Sequence, residues 1–138
     1  MVIETITTYR PVMSQDLNHH GTLYAARTAE WFVEVGFIAA ASITRPENIV
    51  CVKIYSMEFL RPVQKGEVLK LESKVVLVGR TSMVVYVHGS VGNQLAVKGF
   101  ISFVNVDANG KPQPHGVTIT PDNETDLALQ KEAEALRK

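Results

Sequence analysis

The chain has 138 residues, of which 46% are hydrophobic and 20% are charged, and this composition is typical of one folded domain rather than a disordered segment. Basic and acidic residues both number 14, so no overall charge draws the protein to nucleic acid or to an anionic membrane. The N-terminal residues do not resemble a signal peptide, and no apolar run is long enough to cross a bilayer. We therefore expect a cytoplasmic protein.

The first half of the chain predicts one strand and one helix. Residues 2–9 are rich in β-branched side chains and predict a short strand, and residues 10–24 form an irregular stretch. From Ala25 to about Ile43 the chain has helical length, no proline and apolar residues around most of its circumference. This pattern predicts a helix that is enclosed by the rest of the domain.

The second half predicts a run of strands that follow one another without helices, and so an antiparallel, meandering sheet. Cys51, the single cysteine, lies in the first of these strands, and we expect a buried thiol there. Thr120 before Pro121 is typical of a helix start, so a polar C-terminal helix is predicted after it. The fold class is therefore α+β, with a sheet curled around one long helix. The predicted strands cover residues 49–63, 67–79, 81–91 and 94–107.

Four segments carry a resemblance to a known family, and they cover the chain from roughly Ile3 to His115. Residues 16–24 resemble the family's D-x-N-x-x-G-x-L-F loop, and residues 59–67 resemble its F-L-x-P-V-x-x-G-D segment. Residues 79–84 resemble G-R-T-S-M, and residues 103–112 resemble F-V-A-V-D-x-x-G-K-P. The chain is thereby identified as similar to the acyl-CoA thioesterases (acyl-CoA hydrolases) of the hotdog fold.

This resemblance implies a hotdog domain over residues 1–118 and a helical tail over residues 119–138. It implies an obligate homodimer with paired helices and one continuous sheet, an active site across the dimer interface, and further assembly to tetramers or hexamers. The implied substrate is an acyl-CoA, hydrolysed to a free acid and CoA without a metal or a covalent cofactor.

Thioester hydrolysis requires a group that polarises the carbonyl, and a helix N-terminus can supply it through free backbone N–H groups. Here that position falls at Ala25 and Ala26, where relatives usually have two glycines. The alanines keep the N–H donors but add two methyl groups close to an approaching acyl or pantetheine chain.

The reaction also requires a base. The family has an asparagine in the loop and an aspartate fifteen positions later; Asn18 matches the first, but the second position holds Val33. Glu34 is the immediate neighbour, and we expect it to act as general base, or as a nucleophile. Glu30 lies one turn earlier and is a second candidate, although a structural ion pair with Arg27 or a solvated position accounts for it better.

The loop offers further polar groups. His19 and His20 lie beside Gly21, and one of the two histidines could bind the thioester carbonyl or orient water. Tyr24 stands where the family usually has phenylalanine, so its hydroxyl could face the substrate. His20 and Glu34 are fourteen positions apart, a spacing similar to that of hotdog 3-hydroxyacyl thioester dehydratases, which is an alternative function.

CoA carries phosphates, so a local basic patch is expected even in a neutral chain. The resemblance assigns substrate binding to Arg80, Thr81 and Ser82 at a strand start, and to Arg61 in the preceding matched loop. A third function remains open, because a protein without the helix aspartate could bind acyl-CoA without hydrolysing it.

Overall fold

The computed structural model describes residues 3–137, so Met1, Val2 and Lys138 lie outside it, and with them the first residue of the predicted strand 2–9. The long helix begins and ends where the sequence predicts. The first strand begins later than expected and runs on to Pro11. The elements are β1 (Ile6–Pro11), α1 (Ala25–Ile43), β2 (Ile49–Phe59), β3 (Val68–Val78), β4 (Ser82–Val91), β5 (Gln94–Asn105) and α2 (Glu124–Leu136).

One antiparallel sheet holds all five strands in the order β1-β3-β4-β5-β2. The predicted meander holds for β3, β4 and β5, but β2 lies beyond β5 rather than next to β3. The connection from β2 to β3, residues 60–67, passes the start of α1, where Leu23 N donates to Val63 O at 2.8 Å. This crossover brings the end of β2 against the loop that precedes α1.

The sheet packs one face against α1 and the other against α2. On the inner face, Phe32 and Ala40 are fully buried, and the buried Ser73 hydroxyl donates to the Val35 carbonyl at 2.6 Å. The sheet covers one side of α1, and the opposite side is exposed in the single chain. This exposed stripe, called the α1 stripe below, consists of Ala26, Glu30, Glu34 and Ile38. The α+β architecture is the predicted one. The prediction of an enclosed helix is wrong for the single chain, because the exposed residues recur every four positions and so lie on one side of α1.

The C-terminal helix begins at Glu124, so the predicted start at Thr120 and Pro121 is wrong. The cap is Asn123, whose side-chain oxygen accepts from Asp126 N at 2.8 Å and satisfies a free N–H of the first turn. A buried ion pair between Lys74 of β3 and Asp126 holds this end of α2 on the sheet. At the other end, Ala133 is fully buried in the hydrophobic cluster between α2 and the sheet.

β2 is an edge strand whose outer side has no neighbour within the sheet. Its apolar side chains Val50, Val52 and Ile54 are 42%, 56% and 46% exposed. Cys51 is exposed too, so the prediction of a buried thiol is wrong. An apolar edge strand and a buried core strand have the same sequence pattern, and the sequence alone does not distinguish them. Partial burial still raises the pKa of the Cys51 thiol. No helix within residues 3–137 combines the length and the apolar character needed to cross a membrane.

Candidate active site

Asn18 organises the loop that leads into α1. Its side-chain oxygen accepts from His20 N at 2.9 Å and from Thr22 N at 3.1 Å, and its amide nitrogen donates to Thr22 Oγ1 at 3.1 Å. Gly21 follows with φ of 80°, a left-handed conformation that favours glycine. The loop is thus a compact turn built around one amide side chain.

Asp16 anchors the same loop to the first turn of α1. Its buried carboxylate accepts from Met13 N at 2.9 Å and pairs with Arg27 Nε at 3.2 Å. Its backbone carbonyl accepts from Tyr24 N at 2.8 Å. Sequence reasoning placed Asp16 in the matched loop but gave it no role; a carboxylate nine residues before the helix gives no local signal of this contact.

The N-terminus of α1 has unused donors. Tyr24 is the N-cap in extended conformation, and no side chain caps the helix. The first intrahelical bond runs from Thr28 N to Tyr24 O at 3.0 Å. The N–H groups of the first turn, at Ala25, Ala26 and Arg27, precede that bond and have no helical acceptor. Free N–H groups at a helix N-terminus stabilise a bound anion or a developing oxyanion.

A cavity of about 370 Å³ opens at this helix end. Asn18, Ala25 and Arg61, three of the candidates from the sequence, line it together. Thr28 also lines it and is buried, with its hydroxyl donating to Tyr24 O at 3.2 Å. Sequence reasoning missed Thr28. The remaining lining is mostly apolar: Leu23, Phe59, Leu60, Pro62, Val63, Leu69, Ala96 and Val97.

The two candidate carboxylates lie on the α1 stripe and do not line this cavity. Glu30 is 64% exposed and pairs with Arg27 at 3.4 Å, the ion pair that the sequence suggested. Glu34 forms an ion pair with Arg10 of β1, and its side chain is 49% exposed in the single chain. Arg10 also lies over the Trp31 ring at 5.7 Å, which fixes the guanidinium.

Val33, the residue in the position of the family aspartate, is half-buried and packs against the inner core. No polar group can replace the missing carboxylate there. Any acid that serves the cavity must therefore come from another position.

The other loop candidates are solvent-facing. His19 and His20 are exposed, and their ring centroids lie 3.9 Å apart. Tyr24 is 53% exposed beside the helix start. These side chains precede the N-terminus of α1 in the chain but are not among those that line the cavity.

Arg80 and Thr81 lie in the turn between β3 and β4, and Ser82 is the first residue of β4, at the opposite end of the sheet from the cavity. The separation along β3 is about 30 Å at the usual rise per residue. Within one chain the structure therefore does not bring them to the cavity with Asn18. Arg61 does reach it, with its guanidinium bound to Gln94 and 4.0 Å from Glu67.

Comparison with known proteins identifies the family of this chain. The family model of the thioesterase superfamily matches residues 20–97, more than half of the chain. A Bacillus subtilis protein named as an uncharacterized acyl-CoA thioester hydrolase is 33% identical over 128 residues, covering 88% of this chain and 73% of that protein. A Zymomonas mobilis protein with the same description is 37% identical over 90 residues, covering 61% of this chain and 58% of that protein.

Solved structures share the whole fold. A hexameric acyl-CoA thioesterase in its apo form superimposes with a TM-score of 0.89 at 29% identity, covering 96% of this chain and 88% of the other. An acyl-CoA hydrolase from Staphylococcus aureus, solved with butyryl coenzyme A and coenzyme A, gives 0.86 at 25% identity, with 96% and 81% covered. On the family match and the Bacillus subtilis relative, this chain belongs to the thioesterase superfamily.

Proposed function

We propose that the protein hydrolyses an acyl-CoA thioester to a free acid and CoA at the N-terminus of α1. The observation that carries this proposal is the cavity itself, in which an apolar lining meets the uncapped start of α1 at Ala25, and Asn18 lines the same cavity. An acyl chain is apolar and its thioester carbonyl becomes anionic during attack, so the two parts of the substrate match the two parts of the cavity. The hydrolase names of the relatives support the same reaction.

The proposed chemistry is attack of water on the thioester carbon. The carbonyl oxygen accepts from the N–H groups of the first turn of α1, which stabilise the tetrahedral oxyanion. Collapse of that intermediate breaks the carbon–sulfur bond and releases the CoA thiolate, which takes a proton. These steps use the protein's own groups and water, without a metal or a covalent cofactor.

We assign the general base to Glu34, acting in the cavity of a partner subunit. The α1 stripe, which carries Glu34, is exposed in the single chain. Two copies packed stripe to stripe would bring each Glu34 toward the partner's helix start. The ion pair with Arg10 would orient the carboxylate in that arrangement.

The proposed assembly is a homodimer that joins two β2 edges into one sheet, with tetramers or hexamers as further assembly. An unpaired, 11-residue apolar edge strand is a template for such pairing. Hexameric thioesterases among the structural neighbours support higher assembly. We expect the protein to work in the cytoplasm.

The test is release of free thiol from a panel of acyl-CoAs of different chain length by wild type, Glu34→Ala, Asn18→Ala and Glu30→Ala. We expect kcat/KM to fall about a hundredfold or more in Glu34→Ala, which loses the general base, and in Asn18→Ala. It should fall only a few-fold in Glu30→Ala. Glu47→Ala is the matched control, because Glu47 is an exposed glutamate in an arginine ion pair away from the cavity. Loss of activity in Glu30→Ala alone would reassign the base.

Val33 favours a second candidate, an acyl-CoA-binding protein without catalysis, because the position of the family acid is apolar. Binding of acyl-CoA with no thiol release from any member of the panel would establish that alternative. Hydration of crotonyl-CoA in the same experiment would instead indicate the dehydratase reaction, with His20 and Glu34 as its acid and base.

A further inference from the structure

The C-terminus of α2 packs against the turn between β3 and β4. Ala133 is fully buried, and Arg137 follows four residues later on the same face of the helix, with its N–H donating to Ala133 O at 3.2 Å. Gly79 leaves room for the arginine: a methyl group there would lie 3.2 Å from one guanidinium nitrogen of Arg137 and 2.6 Å from Ser82 Oγ. The guanidinium and the hydroxyl therefore converge over one glycine.

Arg80 follows Gly79 directly in the chain, so a second arginine belongs to the same turn. Within residues 3–137 neither arginine forms an ion pair with a carboxylate. The backbone of the turn is held in place, because Thr81 O accepts from Asn105 N at 2.8 Å and Ser82 O from His115 Nε2 at 3.0 Å. A turn that is held by its backbone and carries two arginines and a serine hydroxyl has the chemistry of a phosphate site.

Its position in the sheet relates this turn to the cavity of a partner. Ile49 at the start of β2 lies beside Asn105, and Ser82 lies beside Val104. Phe59, at the other end of β2, lines the cavity. When two β2 strands pair antiparallel about a two-fold axis, the Ile49 end of one meets the Phe59 end of the other. The β3–β4 turn then lies about three strand spacings, roughly 15 Å, from the partner's β2 at its cavity end.

We propose that Arg137 joins Arg80 and Ser82 to bind the phosphates of the nucleotide part of CoA while the thioester occupies the partner's cavity. This assignment rests on the proposed acyl-CoA substrate and deepens it, since it adds the C-terminal helix to the binding site. Because Arg137 presents a planar, bidentate donor pair, lysine at the same position keeps the charge but loses part of the interaction.

The test is calorimetric binding of CoA, adenosine 3′,5′-bisphosphate and pantetheine to wild type, Arg137→Ala and Arg137→Lys. One charge-assisted contact predicts about a tenfold weaker affinity of Arg137→Ala for CoA and for the bisphosphate, with Arg137→Lys in between. Pantetheine, which lacks the nucleotide, should bind all three proteins equally. The difference should shrink as the ionic strength rises. Lys131→Ala, an exposed cation elsewhere on α2, is the control and should bind like wild type.

Unchanged CoA affinity in Arg137→Ala, or an equal loss with pantetheine, would overturn the assignment. Melting temperatures of the variants within a few degrees of wild type, expected for an exposed residue at a helix end, exclude unfolding as the cause of a loss. Because these ligands are not hydrolysed, the result is separate from catalysis. A wild type that binds CoA through Arg137 but releases no thiol refutes only the proposed hydrolysis, and the converse refutes only the phosphate site.

Discussion

Asn18 both holds the loop before α1 together and lines the cavity. Its oxygen is occupied by two backbone N–H groups, and only its amide nitrogen has a hydrogen left for a ligand in the cavity. The sequence identified this residue by its match to a family motif, which does not separate the two roles. In the structure the oxygen holds the loop, whereas the amide nitrogen, bound to Thr22 Oγ1, keeps one hydrogen that we propose for the substrate.

Substitutions at Asn18 can therefore divide stability from activity. Asn18→Ala should lower the free energy of unfolding by about 1 to 2 kcal/mol, because two N–H groups lose their acceptor. Asn18→Asp retains the acceptor oxygen and should lose less stability, yet it removes the amide donor. Denaturant titration measures the first effect, and thiol release measures the second. An Asn18→Asp variant with full activity would show that the nitrogen has no part in the reaction.

At the level of the elements, α1 sits very close to the sheet at one position. A methyl group on Gly36 would lie 3.0 Å from Ile101 Cδ1 and 3.2 Å from a methyl of Val87. Alanine gains about 1 kcal/mol of helix propensity over glycine, and overpacking costs about 1 to 3 kcal/mol. The close contact outweighs the propensity, so the glycine sets the distance between helix and sheet.

We expect Gly36→Ala to destabilise the protein by about 1 kcal/mol on balance. The Ile101→Val substitution removes the methyl that makes the closest contact, so it should suppress the penalty of Gly36→Ala in the double variant. A double-mutant cycle from denaturant titrations measures the coupling. Additive free-energy changes, or a Gly36→Ala variant more stable than wild type, would contradict this account.

At the scale of the whole molecule, the β2 edge and the α1 stripe are the two surfaces that we propose a second copy covers. The β2 edge is apolar, and the α1 stripe has both apolar and charged side chains. Both surfaces are exposed in one chain, and they include Ile54 and Ile38 at 46% and 37% exposure. In the proposed dimer, pairing of two copies through these surfaces would satisfy the free backbone groups of the edge and bring Glu34 toward a second cavity.

A charge placed on that edge should separate the subunits. We expect Ile54→Asp to shift the protein toward monomer in light scattering coupled to size exclusion, with a large loss of thiol release, because two like charges meet near the two-fold axis. Leu127→Asp is the control: Leu127 lies on α2 with 45% exposure, almost equal to that of Ile54. A dimer that persists in Ile54→Asp would place the interface elsewhere.

The sequence by itself determined the span of α1, the four strands that follow it and the loop that carries Asn18. These features are local, because each depends on periodicity, turn residues or a motif within a few neighbouring positions. They can therefore be predicted from one sequence. The capping of α2 was missed by three residues because Thr120 and Asn123 are both acceptable caps, and contact with the sheet decides between them.

Only the tertiary structure decided which distant residues meet. The place of β2 beyond β5 exposes Cys51, which the apolar strand pattern alone predicted to be buried. The partners of Glu34 and Gly79, namely Arg10 and Arg137, are separated from them by 24 and 58 positions. Such contacts depend on how whole elements pack, and no periodicity along the chain encodes that packing. The cavity at the start of α1 is of the same kind, because a loop, a helix end and three strands form it together.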